Sequence, residues 1–237
     1  AVRVADLTGS ADARPVLKAG PRPEHIPLSL AQSRMWFINR FDPDSAAYNI
    51  PLAVRLTGKL DPEALQAAVF DVVERHETLR TVYPDSPEGA HQVILPMDQV
   101  SLDVAPVRVD ENELREQLVA MATTGFDVTA DVPPVRLRLF EVGSNDFVLA
   151  LVIHHVSTDG ESLAPFVRDV MTAYMARVSG NAPEFEPLAV QYADYAIWQR
   201  ELLGSEDDEN SLLTQQVNFW RKSLAGAPDL LELPLDH

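Results

Sequence analysis

The feature that most constrains the fold is an unbroken apolar run, "FVLALVI" at residues 147–153, which ends at two histidines. A strand with one face in water alternates apolar and polar residues, whereas a strand covered on both faces is apolar throughout. The run is far shorter than the roughly 20 residues of a membrane-spanning helix. It therefore predicts a buried strand with other parts of the chain packed against both of its faces.

Strand and helix patterns alternate along the rest of the chain. Residues 50–56 and 135–142 alternate apolar and other residues, which predicts two half-buried strands. Residues 163–174 carry apolar residues at helical spacing, and Asp110 with Glu113 predicts a capping box at the start of another helix. Because strands and helices are interleaved, the sequence predicts the α/β class, with helices packed on a mixed sheet.

The composition excludes several classes of function. The net charge is −17, and such a surface repels nucleic-acid phosphates and anionic membranes. The chain has no cysteine, which excludes disulfides, thiolate metal sites and cysteine nucleophiles. Residues 1–20 lack the apolar block of a signal peptide. We therefore expect a cytoplasmic protein that has neither nucleic acid nor a membrane as its partner.

The two histidines and the loop after them, "HHVSTDG" at residues 154–160, form the candidate site. Adjacent side chains on a strand point to opposite faces, so His154 and His155 are poorly placed to share one metal ion. Ligands commonly bind at the carboxyl ends of strands in α/β sheets, and a neutral imidazole there can accept a proton. The residues alone leave two interpretations open: one histidine is a general base in a cleft, or both only pack at a strand end.

Three residues of the loop bear on this chemistry. Asp159 is placed to orient an imidazole or to brace the loop by pairing with an arginine. Gly160 allows a backbone conformation closed to other residues, lets a ligand approach, and lies near a helix N-terminus that stabilises negative charge. Ser157 lacks the G-x-S-x-G setting of a serine nucleophile, so we do not expect it to attack a substrate.

Four segments form an ordered set of motifs. "SLAQSRMW" at 29–36 fits S-x-A-Q-x-R-x-W, and "RHETLRTVY" at 75–83 fits R-H-E-x-L-R-T-x-F with Tyr83 in place of Phe. "HHVSTDG" fits HHxxxDG, and "YADYAIW" at 192–198 fits Y-x-D-[FY]-A-x-W. In this order, over roughly residues 25–237, the chain resembles the condensation domains of nonribosomal peptide synthetases.

The resemblance implies roles for the residues of the loop. His155, the second histidine, would be the catalytic one, deprotonating or positioning the acceptor amine as it attacks the donor thioester. His154 would be a structural histidine behind it. Gly160 would offer its backbone near the reacting thioester.

It also implies a structural ion pair and a subtype. Asp159 would be held by an arginine, for which Arg75 and Arg80 are the candidates. Glu161 stands where the family commonly has Trp. This substitution is consistent with a subtype, and the segments at residues 49–61 and 190–208 resemble the subtype that accepts a D-configured donor residue.

The implied fold is a chloramphenicol-acetyltransferase-like lobe. Residues 1–24 resemble a linker that follows a carrier-protein domain, and residues 25–237 resemble the N-terminal lobe of a condensation domain, with the C-terminal lobe absent. The implied partners are upstream and downstream peptidyl carrier proteins, whose phosphopantetheine arms carry the substrates of an antibiotic or siderophore pathway. No metal and no cofactor bound by this chain is implied.

Two alternatives stay open. Other acyltransferases of the HHxxxD group use a soluble CoA thioester, and the carrier-like start of the chain argues against that substrate. A non-catalytic docking lobe is the second alternative, and the intact HHxxxDG argues against it. We expect the isolated chain to fold and to be inactive without a second lobe.

Overall fold

The computed structural model describes residues 15–130 and 132–228. Internal contacts divide the chain into two units, of which Leu17–Ile197 is the larger. Of the described residues, 15–16 and 198–228 belong to the smaller unit. Most of the predicted linker, residues 1–14, and the last residues, 229–237, lie outside the described residues, so the predicted boundary between linker and lobe stays a prediction.

The main sheet of the larger unit has four strands, in the order Asn49–Thr57 (β2), Asp146–His154 (β7), Val135–Gly143 (β6) and Pro106–Arg108 (β5). β7 is an inner strand, antiparallel to β2 on one side and to β6 on the other. β5 extends the sheet parallel to β6. The predicted buried strand is confirmed, and so is the mixed sheet.

Side chains of β7 alternate between two apolar layers, which explains its unbroken run. Leu151 and Ile153 pack in a core with α2 (Pro62–Arg75) and α4 (Leu163–Val178). Val148 and Ala150 pack in another cluster with α3 (Glu111–Thr123). Since both faces are covered, a polar side chain within residues 147–153 would lose its contact with water, which is costly without a hydrogen-bond partner.

The ends of the helices follow local capping chemistry. The Asp110 carboxylate accepts hydrogen bonds from the backbone of Asn112 and Glu113, and the Glu113 carboxylate accepts one from the backbone N–H of Asp110, which confirms the predicted capping box. α1 (Leu30–Phe41) begins with a second capping box, between Ser29 and Gln32. This box fixes the end of α1 that borders the candidate site.

A small second sheet lies beside the first motifs. It has the order β1-β4-β3, formed by Ile26–Pro27, His91–Ile94 and Thr81–Val82. A short 3-10 helix, Glu77–Arg80, connects α2 to β3. The last helices are α5 (Tyr192–Leu203) and α6 (Leu212–Ser223). None of the described helices is long and apolar enough to cross a membrane.

Candidate active site

His155 follows the last residue of β7 and is exposed. Its backbone N–H donates to the carbonyl oxygen of Tyr48 at 2.8 Å, which fixes the chain where the strand ends. Its ring Nδ1 lies 2.7 Å from the carbonyl oxygen of Thr158. A carbonyl can only accept, so Nδ1 of the neutral ring carries the proton and Nε2 carries the lone pair. This tautomer is the one that a proton acceptor at Nε2 requires.

His154 has the opposite environment. Only 1% of it is exposed, and its ring lies 6.3 Å from those of both Tyr48 and Phe126. Its Nδ1 accepts a hydrogen bond from the backbone N–H of Val156 at 3.1 Å. Burial, with a smaller contribution from His155, lowers the pKa of His154 to about 4. His154 is therefore neutral near pH 7.

A cleft of about 160 Å³ opens beside His155. Loop residues from His155 to Asp159 form one wall, and Ala31 and Met35 of α1 belong to the lining. Tyr192, the first residue of α5, completes it, and its hydroxyl lies 2.9 Å from Oγ of Ser29. Thr78 of the second motif also belongs to the lining, so all four sequence motifs meet at the same cleft.

The same loop borders a second, larger cavity of about 330 Å³. Both cavities are lined in part by Thr78, Ser157, Thr158 and Ser162. Apolar side chains make up most of the remaining wall of the larger cavity, together with His76 and Glu161. Each cavity gives a ligand access to the loop that follows the histidines.

Asp159 closes the turn in front of α4. Its Oδ1 accepts hydrogen bonds from the backbone N–H of Ser162 at 3.0 Å and from its hydroxyl at 2.5 Å. The hydroxyl of Ser162 in turn accepts from the backbone N–H of Asp159 at 3.2 Å. Asp159 therefore braces the loop, as its position suggested, but with a serine as its partner.

The predicted ion pair between Asp159 and Arg75 or Arg80 is not formed within the described part of the chain. Nε of Arg75 donates to the carboxylate of Asp169 at 3.0 Å, and Nη1 of Arg80 donates to the carbonyl oxygen of Leu95 at 2.6 Å. The prediction was wrong because α4 supplies a closer carboxylate for Arg75. Arg80 instead binds the backbone just after β4.

The structure agrees with the prediction for the space around Gly160 and disagrees with the prediction for its backbone conformation. Its φ lies outside the left-handed region, so the backbone there is open to other residues, contrary to the prediction. A Cβ at this position would meet no atom within 4 Å. The space above Gly160 is free, as the approach of a ligand requires.

A network that the sequence did not reveal ties the second motif to the fourth. Nε of Arg22 donates to Asp194 at 3.0 Å, and its Nη1 donates to Glu77 at 2.8 Å. Burial raises the pKa of Asp194, but hydrogen bonds from Arg22 and from the backbone of Gln191 outweigh it and lower the pKa. A buried carboxylate requires such a partner, and the motif around Asp194 does not show which arginine provides it.

The described residues contain no group of three or more His, Asp or Glu side chains placed to hold a metal ion.

A model of the condensation domain family matches residues 22–237. This chain belongs to the condensation domain family. The predicted family is confirmed, and its members are acyltransferase-type domains of nonribosomal peptide synthetases that work with carrier-protein domains.

Similar proteins support this assignment. A dimodular nonribosomal peptide synthase of Bacillus subtilis is 48% identical over 233 residues, which cover 98% of this chain and 10% of that protein. An isonitrile lipopeptide synthase of Mycobacterium tuberculosis is 41% identical, over 96% of this chain and 9% of that protein. The chain thus spans about a tenth of the length of these curated relatives.

Solved structures confirm the predicted chloramphenicol-acetyltransferase-like fold. The X-domain from teicoplanin biosynthesis, solved in complex with OxyB, is 40% identical with a TM-score of 0.86, over 96% of this chain and 49% of that chain. A point mutant of the starter condensation domain of rhizomide synthetase RzmA has a TM-score of 0.73 over 87% of this chain and 49% of that chain. Since its identity is 20%, this second likeness concerns the fold alone.

Proposed function

We propose that this condensation domain forms peptide bonds between two substrates that are bound to carrier proteins. The acceptor amine attacks the carbonyl carbon of the donor thioester, a tetrahedral intermediate forms, and the C–S bond breaks. The peptide is then attached to the acceptor on the downstream carrier. The observation that carries the proposal is the exposed ring of His155, which lines a cleft with its Nδ1 proton bound to Thr158.

His155 acts on the proton of the attacking amine. Nε2 accepts that proton, or accepts a hydrogen bond that holds the amine in line, and the departing thiolate of the upstream arm takes up a proton. A general base of this kind contributes about 10²–10⁴ in rate. Because a thioester is already activated, holding the two reacting groups in line contributes much of the acceleration.

The substrates arrive on phosphopantetheine arms that belong to the upstream and downstream carriers, and this chain binds no cofactor of its own. The smaller cavity gives a reacting end access to His155, and the larger cavity gives access to the loop at Ser157 and Thr158. The free space above Gly160 leaves room for the thioester. The other wall of the site is a second lobe, since this chain covers 49% of the length of the X-domain chain.

A single-turnover assay on the two-lobed domain tests the proposal. Donor peptidyl carrier and acceptor aminoacyl carrier are mixed, and the dipeptidyl carrier is followed by mass spectrometry for wild type and His155→Ala. We expect the product to form with wild type and to fall by at least about 100-fold in the variant. His25→Ala, which removes an exposed histidine outside the cleft, is the matched control and should retain the wild-type rate.

The same assay examines the donor subtype and the competing substrate. D- and L-configured donors are compared, and faster transfer from the D-donor is expected for the proposed subtype. Transfer from a soluble acyl-CoA, with no product from loaded carriers, would contradict the proposal and assign the chain to the wider acyltransferase group.

One observation favours a second function, that of a docking module. The X-domain, at 40% identity, was solved in complex with OxyB. If this domain is a docking module, mixing the wild type with loaded carriers should give no dipeptidyl carrier. The domain would instead retain a partner protein, and His155→Ala would leave that binding unchanged.

A further inference from the structure

The loop after the histidines is held from behind by the second motif. The Tyr83 hydroxyl lies 2.8 Å from Oγ of Ser157 and 3.4 Å from the carbonyl oxygen of Val156. Oγ1 of Thr78 donates to the carbonyl oxygen of Ser157 at 2.8 Å. The next carbonyl along the chain is that of Thr158, which accepts from Nδ1 of His155. Tyr83 and Thr78 therefore hold the chain at Val156 and Ser157. The next residue, Thr158, carries the carbonyl that sets the tautomer of His155.

Tyr83 itself is firmly placed. Its side chain is fully buried, and its backbone carbonyl accepts a hydrogen bond from Nε1 of Trp36 at 2.9 Å. Burial raises the pKa of Tyr83 to about 12, so the hydroxyl keeps its proton. A buried hydroxyl without a partner is costly, and Ser157, only 5% exposed, provides that partner.

Neither hydroxyl, that of Tyr83 or that of Ser157, is specified by the motif in which it stands. Tyr83 stands where the resembling motif R-H-E-x-L-R-T-x-F has Phe, so a phenylalanine ring fits this position in the fold. Ser157 is one of the three unspecified residues of HHxxxDG. The added hydroxyl of Tyr83 therefore meets a hydroxyl that the motif does not require.

We propose that Tyr83 and Ser157 are a matched pair of positioning residues that hold the carbonyl of Thr158 against Nδ1 of His155. This inference rests on the proposed function, because it assigns the pair to the positioning of the proposed catalytic histidine. Removing the Tyr83 hydroxyl takes away the side-chain partner of the buried Ser157 hydroxyl, and removing the Ser157 hydroxyl leaves Tyr83 without its 2.8 Å contact and with the longer 3.4 Å contact to the Val156 carbonyl. In either case the loop shifts to restore a short hydrogen bond. Removing both leaves an apolar contact with no orphaned group, which costs much less than either single change.

The test is a double-mutant cycle in the two-lobed domain, with Tyr83→Phe, Ser157→Ala and the double variant. Each single variant should lower kcat about tenfold with KM nearly unchanged, because a small shift of a reacting group is costly in rate. The double variant should recover most of the lost rate, so the two effects should be strongly non-additive. NMR shifts of isotope-labelled imidazole nitrogens should show that His155 loses part of its Nδ1–H tautomer in the single variants only.

Tyr174→Phe is the matched control. It also removes a tyrosine hydroxyl that serves as a hydrogen-bond partner, here accepting from the backbone N–H of Asp61 at 3.0 Å, and Tyr174 does not line either cavity at the loop. It should leave kcat and the tautomer of His155 unchanged. Additive losses in the cycle, or an unchanged kcat in both single variants, would overturn the pairing. If wild type gave no dipeptidyl carrier at all, the proposed function itself would fail, so the two failures are distinguishable.

Discussion

At the scale of single residues, two neighbouring histidines are given different chemistry by their surroundings. His154 is enclosed by aromatic rings, and protonation of its Nδ1 would remove the acceptor of the Val156 N–H. His155 is exposed, and its Nδ1 proton is bound to a carbonyl. One imidazole is therefore fixed in the neutral form as part of the fold, and the other presents a lone pair to the cleft.

This contrast predicts a pH dependence of stability. Burial lowers the pKa of His154 from its ordinary value of 6.5 to about 4, so between these values the unfolded chain binds a proton that the folded chain does not. The free energy of unfolding should thus fall as the pH falls from 6.5 to 4, by up to about 3 kcal/mol from this residue. His154→Asn keeps an acceptor for Val156 and should remove that part of the slope. Urea unfolding at several pH values measures it, and equal slopes in both proteins would refute the assignment.

Part of the site could be predicted from single residues, and part could not. The strand end located His155, because an apolar run that stops at a polar pair marks where the chain leaves the sheet. The partner of Asp159 could not be predicted, since an arginine pairs with whichever carboxylate the fold brings nearest. Asp169, which takes Arg75, becomes visible as a partner only once α4 packs against α2.

At the scale of elements, long periodic segments were predictable and short ones were not. An unbroken apolar run predicts β7, and apolar residues at helical spacing predict α4. β1 and β3 have two residues each, too few for any periodicity, and they are held by pairing with β4. α2 ends at Arg75, where His76 turns to an extended backbone, although the sequence there carries no glycine or proline.

Packing of α2 on α4 depends on a charge cluster near the end of α2. The Asp169 carboxylate accepts from Arg75 at 3.0 Å, from Arg168 at 3.2 Å, and lies 2.8 Å from Nε2 of His76. Asp169→Asn removes the negative charge from a nearly buried position and should lower the free energy of unfolding by about 3 kcal/mol. Glu141→Gln breaks an ion pair with the largely exposed Arg108 and should cost less than about 1 kcal/mol. Denaturant unfolding compares the two, and equal losses would contradict the role given to Asp169.

At the scale of the whole molecule, three motifs far apart in sequence converge on one loop. Ser29 of the first motif contacts Tyr192 of the fourth, and Tyr83 of the second contacts Ser157. These contacts lie within the larger unit, Leu17–Ile197. The unit therefore contains what is needed to shape the loop and to set the tautomer of His155.

The contacts that shape the loop do not enclose the space around His155 in which the proposed reaction would take place. His155 is exposed and Gly160 faces open space, so water reaches the site in residues 1–237 alone, whereas the proposed reaction requires both substrates to be held in line. The isolated chain should unfold cooperatively, as a packed core requires, yet form no dipeptidyl carrier in the single-turnover assay. Adding the separately produced remainder of the domain should restore the product, and adding it to the His155→Ala chain should not. Robust turnover by residues 1–237 alone would show that the site is complete without a second lobe.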